Sequence, residues 1–233
     1  MRNMGTKIDK HGYWYAIHRI SLILVYAVIL FVAAGTVHWV RGWIWIISTL
    51  LLEIVMLVIL AQRVPETLNH RGTSHSGVKT FDKLFTLCWM VIQELIAPVI
   101  AGLDWRFGWS GMSHTALYIG FGLLALTWPF GTWAMITNAH FEQFVRIQKD
   151  REHQVVTTGP YRIVRHPGYA SYIIFLAAMP LILGSWWTFL PAGALMLLFT
   201  IRTALEDRTL HKELEGYKAY AGKTRYKLLP GIW

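Results

Sequence analysis

The residues best equipped for chemistry lie in one polar stretch, His153 to Tyr169 (HQVVTTGPYRIVRHPGY), and in a pair one helical turn apart further on, Arg202 and Glu206. Gly159-Pro160 is a turn dipeptide. His166-Pro167 forces His166 out of the α region and lets Pro167 open a helix, so a histidine stands at a helix N-terminus. Such a terminus presents unpaired N–H groups and partial positive charge, which suits a carboxylate or phosphate, and Arg162 and Arg165 add to that charge. The plainer account is a basic cytoplasmic loop that obeys membrane charge rules. Arg202 and Glu206 share one helix face with Cβ atoms about 5–6 Å apart, so a single turn offers a cation to one reactant and an anion to another. Its plainer counterpart is a surface i, i+4 ion pair of roughly 0.2–0.5 kcal/mol.

Gly159-Pro160-Tyr161, a short basic run and Arg165-His166-Pro167-Gly168-Tyr169 are followed downstream by Arg202, Glu206-Asp207, Gly216-Tyr217, Tyr220 and a final LLPGIW. In this order and separation they resemble the isoprenylcysteine carboxyl methyltransferase and phospholipid methyltransferase family of integral membrane proteins. The resemblance runs over residues 138–233 and is one of hydropathy alone before them. It implies methyl transfer from S-adenosylmethionine with release of S-adenosylhomocysteine. Gln148, His153, Gln154, Val155, Val156, Tyr161, His166, Pro167, Gly168, Tyr169 and Glu206 fall on its cofactor-binding positions, and Arg202 on the position that holds the substrate carboxylate. Arg202, Glu206 and His166 are the residues it marks for catalysis. The link from Gln148 to His153 is shorter than in eukaryotic members. A prenylated cysteine carboxylate is the family's archetypal acceptor, and a phospholipid amine or a small thiol is the alternative within it.

S-adenosylmethionine carries a carboxylate, an ammonium, a sulfonium and an adenosine, so its site needs N–H donors, polar acceptors and a flat apolar slot. Nothing in the chain alternates like a buried parallel strand followed by a glycine-rich turn, so loops and helix ends must hold the cofactor. Displacement at a carbon activated by sulfonium needs alignment and desolvation more than a base when the acceptor is a carboxylate or thiolate. An amine acceptor needs a base, for which Glu206, Asp207 or His166 are in reach.

What positions these residues is a membrane architecture. With 55% hydrophobic residues, mean hydropathy +0.40 and 12 Trp in 233 residues, the chain is a polytopic membrane protein rather than a soluble domain. The net charge of +9 sits in loops between apolar runs and forms no aromatic-interleaved patch, which argues against nucleic acid as a partner. The expected fold is an all-α bundle of about six spans. They are placed at 17–37, 43–61, 84–103 and 115–137, the last interrupted at Trp128-Pro129, with a C-terminal hairpin of 169–183 and 188–201. The first run is too long for a signal-peptide core and reads as a retained span. Residues 62–83 read as a polar loop, and 138–150 as a continuing polar helix. Residues 202–220 read as an amphipathic helix with Leu210, Leu214, Tyr217 and Ala221 on one face, lying along the membrane or folded back over the motif loop. Residues 1–137 are then the acceptor-binding part and 138–233 the methyltransferase core.

With both termini on one side, 20 of the 22 Lys and Arg lie there, and only Arg41 and Arg106 lie opposite among Trp-rich turns. That is the cytoplasmic side by the positive-inside rule, in the inner membrane if the source is bacterial. Glu53 and Glu94 fall within spans, where each either touches a ligand or makes a structural bond to a neighbouring helix. The lone Cys88 permits no internal disulfide and reads as packing. No histidine box supports a di-iron site; His70 and His75 are the closest pair past the N-terminal segment, so no metal is expected. An NADPH-dependent membrane reductase and a small transporter built on Glu53 and Glu94 are the readings outside the family.

Overall fold

The computed structural model describes residues 7–73 and 77–233; Arg2, counted in the charge balance, and His75 lie outside them. The described residues are helical, with no strand. Helix α1, Lys10–Ala34, starts at Asp9, whose carboxylate accepts the N–H groups of His11 and Gly12, and stops at Gly35 in the left-handed region. Helix α2, Val40–Arg63, ends where Pro65 opens the short α3, Pro65–Arg71, inside the stretch expected to be a polar loop. Helix α4, Thr80–Met90, passes through a π-helical turn, Val91–Ile96, into α5, Ala97–Phe107. Pro98 follows that turn; its ring would crowd the carbonyl four residues back in a regular α-helix, and the wider turn relieves the clash. Helices α6, His114–Thr137, α7, Pro167–Leu183, α8, Phe189–Glu213, and α9, Tyr217–Lys223, complete the chain.

Five rods, Lys10–Ala34, Val40–Arg63, Thr80–Phe107, His114–Thr137 and Phe189–Glu213, are long and apolar enough to cross a membrane. The chain is therefore read as an integral membrane protein. Helix α7 is apolar but only 17 residues long, about 25 Å at 1.5 Å per residue and so shorter than a ~30 Å hydrocarbon core. It is the central post. It packs on α6 so closely that a Cβ on Gly120 would meet Ile182 at 2.7 Å, and Leu176, Ala178, Met179 and Ile182 are fully buried. On the outside, Val32, Leu126, Tyr118 and Leu197 stand more than 60% exposed, the apolar surface that lipid would cover.

The two ends of the bundle differ. At one, Trp39 stacks on Trp105, Trp109 meets Trp187 edge-on, Arg41 donates to the carbonyls of Met112 and Ser113, and Asp104 accepts from Ser110 and Ser185. At the other, the N-terminus of α1, α3, the start of α4, the motif loop and the tail converge.

Three expectations are corrected. Residues 138–150 do not continue as a helix: 138–148 are irregular and a single 3-10 turn, Lys149–Arg151, follows. Their polar groups find distant partners: Val145 donates to Asp82 at 2.7 Å, Lys79 donates to the Val145 carbonyl at 3.1 Å, and Gln148 donates to the His140 carbonyl at 2.7 Å. Glu142, Arg146 and Asp150 pair at the i, i+4 spacing of a helix without forming one. Helix α6 runs through Pro129 unbroken. The expected 202–220 helix is instead the end of α8, which continues to Glu213, a break at Gly216 in the left-handed region, and the short α9. Leu210, Leu214, Tyr217 and Ala221 still pack into one cluster with Tyr161 and Tyr220.

Candidate functional site

The site is built where three segments meet: the irregular loop 138–165, the first turn of α7, and the C-terminal third of α8 with the tail behind it. His166 caps α7 with φ −124° and ψ 64°, outside the α region, as the following proline requires. The first turn of α7 leaves the N–H groups of Gly168 and Tyr169 without helical partners. A two-bond strap fixes the loop from behind, His166 and Arg165 donating their backbone N–H groups to the carbonyls of Lys227 and Tyr226. The tail is thus folded back over the motif loop.

Asp207 is the hub of the polar network. Its carboxylate accepts from Arg165 at 2.8 and 3.1 Å and from the Tyr217 hydroxyl at 2.9 Å, and lies 3.3 Å from His166 Nε2. Arg165 also donates to the carbonyls of Thr224 and Arg225. With its oxygens so engaged, Asp207 is an anchor and a poor candidate base. Glu206, the next residue, points the other way: it accepts the Tyr169 hydroxyl at 2.5 Å and stands 3.8 Å from His166 Nδ1. His166 and Tyr169 stack with ring planes 2° apart. Tyr161 accepts from Asn138 at its hydroxyl, and its carbonyl accepts from the Tyr220 hydroxyl at 2.7 Å.

All eleven residues placed on cofactor positions line one cavity: Gln148, His153, Gln154, Val155, Val156, Tyr161, His166, Pro167, Gly168, Tyr169 and Glu206. Backbone N–H groups of a helix start, a carboxylate and apolar Val155, Val156, Leu210 and Leu214 surround the same space. Those are the surfaces that a zwitterionic ligand with a flat apolar part needs. Gly168 allows the close approach of the loop: a Cβ there would meet the Phe141 ring at 2.6 Å.

Arg202 does not line that cavity. It faces a second, lateral one between α1, α2, α4, α6, α7 and α8, which shares Gly168, Tyr169, Phe141, Glu142 and Phe144 with the first. The lateral cavity encloses about 330 Å³ against about 110 Å³, so it is the roomier place for a bulky apolar ligand. The ion pair of Arg202 with Glu206 considered above is replaced by one with Asp82, at 2.8 Å from Nε, with a further bond to the Gln143 carbonyl at 2.5 Å. The guanidinium lies between the rings of Phe85, 4.3 Å away, and Tyr169, 5.2 Å away. Glu53 makes the structural bond of its two readings, a two-pronged pair with Arg19 at 2.8 and 3.0 Å, while still lining the lateral cavity beside Glu94. Among the described residues no cluster of His, Cys, Asp or Glu could hold a metal.

Sequence reasoning missed Asp82, Asn138 and Phe141. Asp82 is a lone acid just before an apolar run, and its partner lies 120 residues on. Asn138 and Phe141 stood inside a stretch read as helix.

The loop carries a titration. His153 stacks on His140 with centroids 4.6 Å apart. Burial, then the neighbouring His140, pushes the His153 imidazole down from its ordinary 6.5 to about 4, and burial lowers His140 as well. The folded loop therefore favours neutral rings, while an unfolded chain takes up protons below about 6.5. Stability from this pair is complete above pH 6.5 and declines as pH falls toward 4. The thermal midpoint of the detergent-solubilised protein should drop across that window, and His153→Gln should flatten the drop. A midpoint with the same pH dependence in both proteins would contradict the assignment.

Residues 120–212 match the model of the isoprenylcysteine carboxyl methyltransferase (ICMT) family. Over 59 residues, 25% of this chain, it is 30% identical to a "Probable protein-S-isoprenylcysteine O-methyltransferase" of Oryza sativa subsp. indica. The like-named protein of Oryza sativa subsp. japonica matches to the same extent. The chain spans 31% of the length of these curated relatives. Together the matches support placement in that family, and the model's span contains every residue of the two sets above from Gln148 to Glu206.

Proposed function

We propose that this chain, which matches the isoprenylcysteine carboxyl methyltransferase family model over residues 120–212, is an integral membrane methyltransferase of that family that uses S-adenosylmethionine to methylate a lipophilic acceptor. The observation that carries the reading is the gathering of the eleven motif residues around one cavity that adjoins, through Gly168 and Tyr169, a larger lateral one. The first would hold the cofactor, with the free N–H groups at the α7 N-terminus suited to its carboxylate and Glu206 to its cationic part, and with entry from the cytosol. The acceptor enters the second sideways from the bilayer. Residues 1–137 supply most of its walls, and 138–233 form the methyltransferase core. Both termini face the cytoplasm.

The acceptor most in keeping with the site is a prenylated cysteine carboxylate, converted to its methyl ester. Arg202 stands where the cavities adjoin and offers a desolvated cation to that carboxylate, while the aromatic rings around it exclude water. When bound, S-adenosylmethionine would supply a methyl group activated by its sulfonium, which a carboxylate oxygen would take as the thioether leaves, so the residues here have to hold, align and dry the reactants and no proton has to move.

Calorimetric titration of the purified protein with S-adenosylmethionine, S-adenosylhomocysteine and NADPH tests the reading. Saturable binding of the first two and none of the third is the expected result. Binding of NADPH alone would make the chain a reductase, and binding of none would remove the cofactor site.

A further inference from the structure

The lateral cavity holds a polar group that chemistry at Arg202 leaves unused. Of the charged side chains lining it, Arg19 and Glu53 bond each other, Arg71 bonds Tyr15, Glu142 bonds Arg146 and Arg202 bonds Asp82. Among the described residues Glu94 makes no hydrogen bond or ion pair, though it lines the same cavity at membrane depth and feels the Arg19 charge from beyond ion-pair distance. An unpartnered carboxyl is costly there, and the cost is removed when a ligand supplies the partner. A second observation falls on the same residue. Glu94 lies in the π-helical turn Val91–Ile96, a distortion that Pro98 favours and that is frequent at functional sites. Beside it Gln93 is buried and accepts from Tyr172 only at 3.4 Å.

The position of Glu94 relative to Arg202 sets a ruler. The Arg202 guanidinium lies over the Phe85 ring. Glu94 is nine residues further along the same rod, about 13 Å at 1.5 Å per residue. We infer that the acceptor is an amphiphile bearing a hydroxyl about 13 Å from its methyl-accepting group, and that Glu94 binds that hydroxyl. A hydrocarbon tail would leave the carboxyl without a partner, and a second charge would have to be desolvated to reach it, whereas a hydroxyl crosses the apolar wall at far lower cost. The inference rests on the reading above in taking this cavity as that of a carboxylate acceptor, and it narrows that reading from an unsubstituted prenyl chain to a tail that carries a hydroxyl, so the acceptor's tail, as well as its head, is a determinant of selectivity.

The test uses two lipids that differ only in that group, stearic acid and 12-hydroxystearic acid, whose hydroxyl lies at matching reach from the carboxylate. Binding of the tritiated acids to the full chain in detergent is measured with S-adenosylhomocysteine present, and binding of labelled S-adenosylhomocysteine is measured in the same preparations. The hydroxylated acid should bind at least tenfold more tightly, about the contribution of one hydrogen bond to a charged group. Glu94→Leu should abolish or reverse the preference, Glu94→Gln should keep part of it, and neither should change S-adenosylhomocysteine affinity. Equal affinities in the unaltered protein, a preference that survives Glu94→Leu, or binding of neither acid would overturn the inference. Failure of S-adenosylhomocysteine to bind would instead overturn the methyltransferase reading, whatever the two acids do.

Discussion

Asp207→Ala should lower the stability of the folded chain by about 3–5 kcal/mol, the cost of breaking a buried ion pair by removing one partner. The carboxylate it removes is buried and holds Arg165 at two points, with the Tyr217 hydroxyl and His166 on the same oxygens. Without it a guanidinium remains among buried groups with only carbonyl partners, the loop loses its anchor to α8, and the cofactor cavity loses its rear wall. Thermal unfolding in detergent reads the loss. Replacing both ends of the pair together, Asp207→Leu with Arg165→Met, should recover much of the stability because no charge is then stranded. A single mutant as stable as the parent would show that Arg165 finds another anion and that the network is not the anchor.

Glu206→Gln should leave the fold intact and weaken S-adenosylmethionine binding by roughly ten- to a hundredfold, the equivalent of about 1.5–3 kcal/mol for a hydrogen bond to a charged group. Glu206 is half-buried, lines the first cavity and meets the Asp207 network only through His166, 3.8 Å away, so its loss costs the ligand far more than the scaffold. The two substitutions one residue apart should therefore separate cleanly. Asp207→Ala moves the unfolding midpoint, and Glu206→Gln moves the calorimetric affinity at an unchanged midpoint. An unchanged affinity in Glu206→Gln would remove the carboxylate from the cofactor's cationic side.

The motif loop and its neighbours were legible because local covalent chemistry sets them. Proline excludes His166 from the α region and opens α7, and glycine is needed where the Phe141 ring comes within contact of residue 168. Apolar runs bounded by charge gave α2 and α6 to within a turn, whereas α1 begins at Lys10 rather than 17 and α8 runs to Glu213 rather than 201. What was not legible depends on partners far away in the chain. Residues 138–150 carry helical spacing of acids and bases, yet Asp82, Lys79 and the loop's own side chains take up their backbone groups and the helix does not form. Pro129 reads as a break, but packing of α6 against α7 outweighs one lost bond. The boundary expected at Arg202 was drawn from polarity alone. Nothing at 202 stops a helix, and α8 runs on to Glu213, where Leu214 turns extended ahead of the left-handed Gly216 that leads into α9.

Tyr169 belongs to the walls of both cavities. Its hydroxyl is held by Glu206, its ring lies against His166 on one side, and its other neighbours are Phe199 and the Arg202 guanidinium. A partition with one face toward each reactant cannot be moved by one of them without being felt by the other. If either ligand shifts this ring, the affinity of the second changes, and by reciprocity the first is altered by the same factor. The two reactants then bind as a cooperative pair rather than independently, and the ring that separates them is also what lets each report on the other's presence.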